Sequence, residues 1–271
     1  MAVVAKNRTV LKWVGSKVGV IEQLRQHLPN TKRLVEPFAG SCAVMMNTDY
    51  EQYLIADINE DLINFHLTMQ SLPLDFLSNA EYYFQTFNQE NSYYNIRDVF
   101  NTTKKQMTAK GAAVNFLYLN RHCYNGLCRY SEKTGFNVPF GRYKKPYFPK
   151  EEICLFLAKS QKASFKAQAW QETLNQVVRG DGIYCDPPYL NTFSRYNAIG
   201  FSVQEHEDLA KSLSIFWTEL DVPSTISNSI DAKEMYLDMG FTVHEITAPR
   251  SVSAKGSRKP VTEIIAVLGG R

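Results

Sequence analysis

The sequence predicts an α/β protein built on a mostly parallel sheet with helices on both faces. Strand-like and helix-like segments alternate through the opening third, and the last third repeats the alternation. Several apolar runs end abruptly in an acid or in a Gly- or Pro-containing turn, as strands do when they meet a ligand crevice.

The elements follow in chain order. TKRLVEPFAGS (31–41) is a short strand running into a Gly-containing loop, CAVMMNTDY (42–50) a helix, and QYLIADIN (52–59) a second strand ending in acid. From about 59 to 111 the pattern is helical and rich in Asn, Gln and aromatics, and AAVNFLYLNRH (112–122) is a further helix. Gly and Pro then punctuate an irregular stretch in which FNVPFGRY (136–143) reads as a hairpin arm. The closing third has a strand at GIYCDPPY (182–189), a helix at VQEHEDLAKSLSIF (203–216) and a strand at VPSTISNS (222–229). A Gly-capped helix, DAKEMYLDMG (231–240), and two last strands, FTVHEITA (241–248) and VTEIIAVL (261–268), complete it. The domains expected are a discontinuous core of residues 1–59 and 151–271, with 60–150 inserted between its halves.

Composition narrows the class. The 271 residues are 44 % apolar and 21 % charged, ordinary for a globular chain. No apolar run approaches the roughly 20 residues of a membrane span. MAVVAKNRTVLKW has no apolar stretch with a cleavage site, so the expected compartment is the cytosol. Five cysteines and five histidines show no zinc-type spacing, so no metal site is expected and the thiols read as reduced. Net charge is only +3, but Arg121 to Lys150 holds seven Lys/Arg against the single acid Glu132, interleaved with tyrosines and phenylalanines. Arg250, Lys255, Arg258 and Lys259 form a second basic cluster. Cations mixed with aromatics suit a polyanion that carries bases.

Two motifs carry the chemistry. EPFAGS (36–41) follows the first strand, and Asp57 lies 21 residues past Glu36, close to the offset of an acid that holds ribose hydroxyls. With one Gly in place of G-x-G-x-x-G, the loop suits a nucleoside without phosphates, such as S-adenosylmethionine. LKWVGSK (11–17) lacks the G-K-[ST] of a nucleotide-phosphate loop, so Trp13 alone reads as core and Lys17 as surface charge. DPPY (186–189) is more specific. Methylating an exocyclic amine is difficult because its lone pair is delocalised into the ring. If Asp186 and the Pro187 carbonyl each accept one N–H, the lone pair turns out of plane toward the methyl donor. Tyr189 then stacks on the extruded base, and Asp186 or water takes the proton.

LKWVGSK, VEPFAGS, ADIN, LYLNRHCYNGLCRY, FNVPFGRYKKPYFP, YCDPPY and TISN, in that order, resemble the Dam-type DNA adenine-N6 methyltransferases over nearly the whole chain. The order is that of the α class. The resemblance implies a Rossmann-like S-adenosylmethionine-dependent methyltransferase core with an inserted, mostly helical target-recognition domain carrying a β-hairpin. It also implies double-stranded DNA as substrate and GATC as the site; with no obligate protein partner evident, a monomer, bacterial or phage-encoded, is expected. Trp13, Lys17, Glu36, Phe38, Gly40, Ser41, Asp57 and Asp186 match the donor pocket, and Asp186, Pro187 and Tyr189 the catalytic motif. By the same likeness Tyr124 wedges into the stack where adenine leaves, and Asn125 lies beside the orphaned base. Leu127 and Pro139 touch a thymine methyl, Arg129 reads a guanine edge, Lys12 reads the second guanine, and Arg142, Lys144 and Lys145 contact phosphates.

The sequence departs from the family at Cys42, where a second Gly is common, and at SEKT (131–134). The short stretch LNTFSRYNAIGFS (190–202) is expected to form a lid. Two other readings stay open here: an amine methyltransferase acting on cytosine N4 or RNA, and a sequence-specific DNA binder with a decayed core.

Overall fold

The structure is a computed structural model that describes residues 6–72, 74–131, 133–190, 201–249 and 260–269. The lid expected at 190–202 falls mainly on 191–200, and the second basic cluster on 250–259, so both lie outside the described residues.

The chain begins with α1 (Ile21–Leu24), flanked by 3-10 turns, then β1 (Arg33–Glu36), α2 (Ala43–Asn47) and β2 (Gln52–Asp57). Four helices follow: α3 (Glu60–Ser71), α4 (Phe76–Thr86), α5 (Glu90–Thr103) and α6 (Ala109–His122). A two-residue hairpin, β3 (Tyr130–Ser131) and β4 (Gly135–Phe136), precedes α7 (Lys150–Ser160), β5 (Ala163–Ala167) and α8 (Trp170–Leu174). The chain closes with β6 (Asp181–Cys185), α9 (Val203–Leu220), β7 (Ser224–Ser229), α10 (Lys233–Asp238), β8 (Thr242–Ala248) and β9 (Val261–Leu268).

Seven strands form one sheet in the order β5-β2-β1-β6-β7-β9-β8. The first five run parallel, and β9 is reversed, pairing antiparallel with both β7 and β8. Alternation along each strand divides the core into two layers. Leu34, Tyr53, Ile55 and Tyr184 join the cluster under α3, α6 and α7, whereas Val35, Leu54, Ile183 and Cys185 join the one under α8, α9 and α10. β1 and β6 are the strands at which connections leave in opposite directions, so the crevice beyond their carboxyl ends is the topological switch point. At their other ends the Arg33 guanidinium grips Asp181 through two bonds, of 2.8 and 2.6 Å, and locks the register of the pair.

Most expected elements stand where the sequence put them. α9 carries a capping box in which Ser202 and Glu205 satisfy each other's backbone N–H, and Gly240, with φ of +84°, follows α10. Two differences arise in the middle of the chain. FNVPFGRY contributes only Phe136 to a strand, where it follows Gly135 in β4; its remainder is irregular and touches the end of α6 through a Cys123–Phe140 bridge. α7, β5 and α8 had no sequence assignment. β5 is an edge strand with Phe165 as its one buried residue, so it offers no apolar run to read. α3 starts at an Asn59 cap and packs against both the sheet and α6; Gln70 on its last turn donates to the carbonyls of Ser160 and Ala163.

Candidate functional site

Three acids meet at the switch point: Glu36 ends β1, Asp57 ends β2, and Asp186 follows β6. Asp57 accepts the Gly40 N–H through Oδ2 and the Asn59 N–H through Oδ1, both at 3.0 Å, so it ties the loop after β1 to the start of α3. Burial raises its pKa against those hydrogen bonds. Gly40 has φ of +46°, and a Cβ there would lie 2.9 Å from the Trp13 indole. Glycine therefore lets the N-terminal segment roof the loop. Ser41 and Ser16 hydroxyls meet at 3.3 Å beside it.

Cys42 adopts the left-handed conformation, φ 57° and ψ 38°, that a second glycine would take without strain. Its side chain is fully buried with Sγ 3.4 Å from His66 Nε2, and that nitrogen is 2.9 Å from the Gly40 carbonyl. The loop thus keeps a glycine-type backbone around a cysteine, at a cost of about 1–2 kcal/mol.

Lys17, 4 % exposed, leaves its surface reading behind: its ammonium bonds Asp186 Oδ2 at 2.7 Å and the Gly15 carbonyl at 2.7 Å, and lies 4.9 Å from the Tyr189 ring centroid. Burial pushes the Asp186 carboxyl up to about 6, with Lys17 opposing the rise, so the group is ionised at neutral pH. Glu36 is deeper. Burial first, and the Asp186 charge second, push it up to about 8, and its Oε1 has no hydrogen-bond partner among the described residues. Pro187 is buried, and the Tyr189 hydroxyl donates to Glu263 Oε2 at 2.7 Å. Phe38 stands edge-on to Phe201 at 5.7 Å.

Several contributors to this site had no role assigned from the sequence. Glu263 on β9 anchors Tyr189 and is 74 residues away. Asn228, the last letter of TISN, accepts the Leu190 N–H at 3.1 Å and approaches His206 Nδ1 at 3.3 Å, and Ser229 Oγ donates to the Leu190 carbonyl. These bonds fix the chain leaving DPPY. Ile58 is 75 % exposed directly after Asp57. The isoleucine after the strand-end acid could be read from ADIN, but its exposure could not.

A second group of residues gathers at the end of α6. Tyr124 is 53 % exposed, and Asn125 and Gly126 both have positive φ, 55° and 66°. The turn is held by Tyr124 N–H to the Pro139 carbonyl at 2.8 Å and by Asn125 N–H to the Tyr143 hydroxyl at 2.9 Å. Lys12 comes in from the N-terminal segment: a Cβ on Gly126 would collide with its stem, and its ammonium lies 4.4 Å from the Tyr143 ring centroid. Arg129 is half-buried and braced by Asn137, with Nε on Oδ1 at 2.6 Å and Nη2 on the carbonyl at 3.1 Å; the opposite guanidinium edge points away from that brace. Pro139, Lys144 and Lys145 are exposed, as is Arg142, which sits 3.4 Å from Glu90. Leu127 is only 8 % exposed, so it offers an edge at most. The hairpin is tied back to α3, where Asp61 Oδ2 accepts from Tyr130 Oη at 2.8 Å and Lys104 Nζ at 2.6 Å. An open groove of about 320 Å³ runs along the N-terminal segment, with Lys12, Trp13, Ser16, Arg121, Asn125 and Glu152 among its lining residues. Among the described residues no cluster of three His, Cys, Asp or Glu could hold a metal, and no helix is long and apolar enough to cross a membrane.

Comparison with known proteins agrees with this arrangement. The D12 class N6 adenine-specific DNA methyltransferase family matches residues 13–252. A retron Ec67 DNA adenine methylase of Escherichia coli is 48 % identical over 97 % of this chain and 92 % of its own length. A DNA adenine methylase of Serratia marcescens is 39 % identical over 97 % of this chain and 98 % of its own. A DNA N-6-adenine-methyltransferase of Escherichia phage P1 is 38 % identical over 96 % of this chain, which spans 35 % of that protein. With an ionised DPPY aspartate at the sheet's switch point and a match over most of its length, the chain belongs to the D12 class of N6 adenine-specific DNA methyltransferases.

Proposed function

We propose that the enzyme methylates the adenine of GATC in duplex DNA, with S-adenosylmethionine as donor. The observation that carries the catalytic part is Asp186, held ionised by Lys17 at 2.7 Å beside the Tyr189 ring. The GATC assignment rests on the resemblance, and its support in the structure is that Lys12 lies against Gly126 beside the exposed Tyr124, while Asn137 braces Arg129.

The pocket fits the donor. Asp57 suits ribose hydroxyls, the exposed Ile58 and the Trp13 indole offer apolar faces, and the unpartnered Glu36 Oε1 offers a polar contact. Phe38, Gly40 and Ser41 complete the wall, with Lys17 and Asp186 at its catalytic end. When bound, S-adenosylmethionine supplies an electrophilic methyl group on a positively charged sulfur. The chain's own work is to prepare the amine. One oxygen of Asp186 is taken by Lys17, which leaves the other to accept one N–H of the extruded adenine, while the Pro187 carbonyl accepts the second. Two acceptors in a rigid Pro-Pro turn draw the lone pair out of conjugation. Tyr189, anchored through Glu263, stacks on the base. An Asp186 ionised at neutral pH can also take the released proton, directly or through water.

Tyr124 enters the stack, Asn125 faces the partner base, and Pro139 with the edge of Leu127 meets a thymine methyl. Arg142, Lys144 and Lys145 neutralise phosphates. Residues 60–150 form the target-recognition region between core segments 1–59 and 151–271, and the protein acts as a cytosolic monomer of bacterial or phage origin.

Methyl transfer from labelled S-adenosylmethionine to two duplexes of equal composition, one with GATC and one with that site scrambled, tests the reading. Label on the GATC duplex alone is expected. Label on both removes the GATC assignment and leaves the DPPY chemistry standing. Asp186→Ala is expected to abolish transfer and to retain DNA binding.

A further inference from the structure

Lys12 and Trp13 are consecutive residues that serve different sites. The Trp13 indole roofs the Gly40 loop, while the Lys12 stem crosses Gly126 and its ammonium lies over Tyr143. A shift of the peptide joining them would misplace both side chains at once. What holds that peptide is Asn120, fully buried on the last turn of α6 and 108 residues away. Its Oδ1 accepts the Lys12 N–H at 2.9 Å, and its Nδ2 donates to the Lys12 carbonyl at 2.8 Å.

Two bonds from one planar amide to both polar groups of one residue reproduce the pairing of an antiparallel strand and forbid sliding by a residue. Aspartate in its place would set a carboxylate oxygen against the Lys12 carbonyl, alanine would reach neither group, and glutamine would overshoot by a methylene. Arg121, the next residue, bonds the carbonyls of Thr9 and Val10, so the segment before Lys12 is held by a separate contact.

We infer that Asn120 is a positioning residue that sets the register of Lys12 against the recognised base pairs and of Trp13 against the donor loop. The inference rests on the proposed roles of Lys12 as a guanine reader and Trp13 as a donor-pocket wall, and names the residue that couples them.

The test uses the full-length enzyme as wild type, Lys12→Ala, Asn120→Ala, Asn120→Asp and Lys12→Ala with Asn120→Ala. Three quantities are read: kcat/KM on GATC and on duplexes with either guanine replaced, the dissociation constant of S-adenosylhomocysteine, and Tm. Asn120→Ala is expected to lower discrimination at the guanine read by Lys12 by about tenfold, leave the Arg129-dependent position intact, and weaken S-adenosylhomocysteine by a similar factor. Adding Lys12→Ala to it should cost no further discrimination. Asn120→Asp, which keeps the side-chain shape, is expected to act in the same direction should the alanine variant fail to fold. Unchanged discrimination in Lys12→Ala removes the guanine-reading role of Lys12 itself. Lost discrimination in Lys12→Ala, with either Asn120 variant matching wild type or losing both guanine positions equally alongside Tm, overturns the inference about Asn120.

Discussion

Replacing Lys17 with methionine isolates the interaction that keeps Asp186 ready for chemistry. The Lys17 ammonium lies 2.7 Å from Asp186 Oδ2, and their side chains are 5 % and 20 % exposed. At an effective dielectric constant of about 20, Coulomb attraction at that distance is at most about 6 kcal/mol. Desolvation and residual solvent access reduce it, and an opposite charge in hydrogen-bonding contact lowers an acid by roughly 1–3 pH units, about 1.4–4 kcal/mol. Burial has already raised Asp186 to about 6 with Lys17 present. Removing the cation therefore moves it to about 7–9. The active form is the carboxylate, so activity falls as pH drops through the pKa. The acidic limb of kcat/KM for DNA, measured at saturating donor, should stand near 6 in the wild type and shift upward in Lys17→Met. At about pH 7.5 the wild-type carboxylate is more than nine-tenths ionised, and the variant's ranges from about three-quarters to a few per cent. Lys17→Arg retains the charge and should keep the limb low. A Lys17→Met limb that coincides with the wild type refutes the electrostatic argument, and an equal loss at every pH assigns Lys17 a role in transfer that does not act through the Asp186 charge.

Glu36→Gln probes the deeper acid: its pKa rises from 4.5 to about 8 on folding, so the folded state holds a proton that the unfolded chain releases, and stability is lost as pH climbs between those values. The variant should match the wild type in thermal melts near pH 4.5, gain steadily above it, and level off beyond about pH 8 at an advantage of the order of 5 kcal/mol; a constant difference across that range would sink the argument. Arg129→Ala should cost about 1–3 kcal/mol of discrimination at one guanine, read from kcat/KM on substituted duplexes, and unchanged preference would show that the Asn137-braced guanidinium does not reach a base. Lys144→Ala should weaken binding to every duplex and lower the slope of log K against log salt by about 0.9, whereas a loss confined to GATC would make Lys144 a base reader.

The core was legible because its information is local. Val35, Ile55 and Ile183 sit in buried strands of four, six and five residues whose ends are marked by acid, glycine or proline. The same runs located Glu36, Asp57 and Asp186, since strand ends at a switch point are where such groups converge. Lys17 was different. By itself it read as a surface lysine, and only its place in LKWVGSK, by resemblance, moved it to the pocket, where it lies 2.7 Å from Asp186. β5 escaped notice because an edge strand with one buried side chain leaves no apolar stripe. Glu263, Asn137 and Asn228 escaped because they act through individual hydrogen bonds to distant or irregular partners, which no periodicity encodes.

That contrast has a physical cause at the recognition surface. A sheet is stabilised by a repeating ladder, so its sequence repeats; the turn after α6 is stabilised by single bonds between distant side chains and backbone, so its sequence carries none. Tyr124 to Gly126 contains two residues of positive φ and would not hold one shape in isolation. Pro139, Tyr143, Lys12 and Asn120 supply the missing constraints from three separate segments. Asp61 adds a fourth from the start of α3, four residues after the acid that binds the Gly40 loop. The proposed base readers and the Gly40 loop are thereby referred to the same two rigid bodies, α3 and α6, which pack directly on each other. A substitution that loosens Asp61 or Asn120 should therefore disturb recognition without touching any group proposed to contact DNA, while one that loosens the Arg33–Asp181 pair at the opposite end of the sheet should lower stability alone.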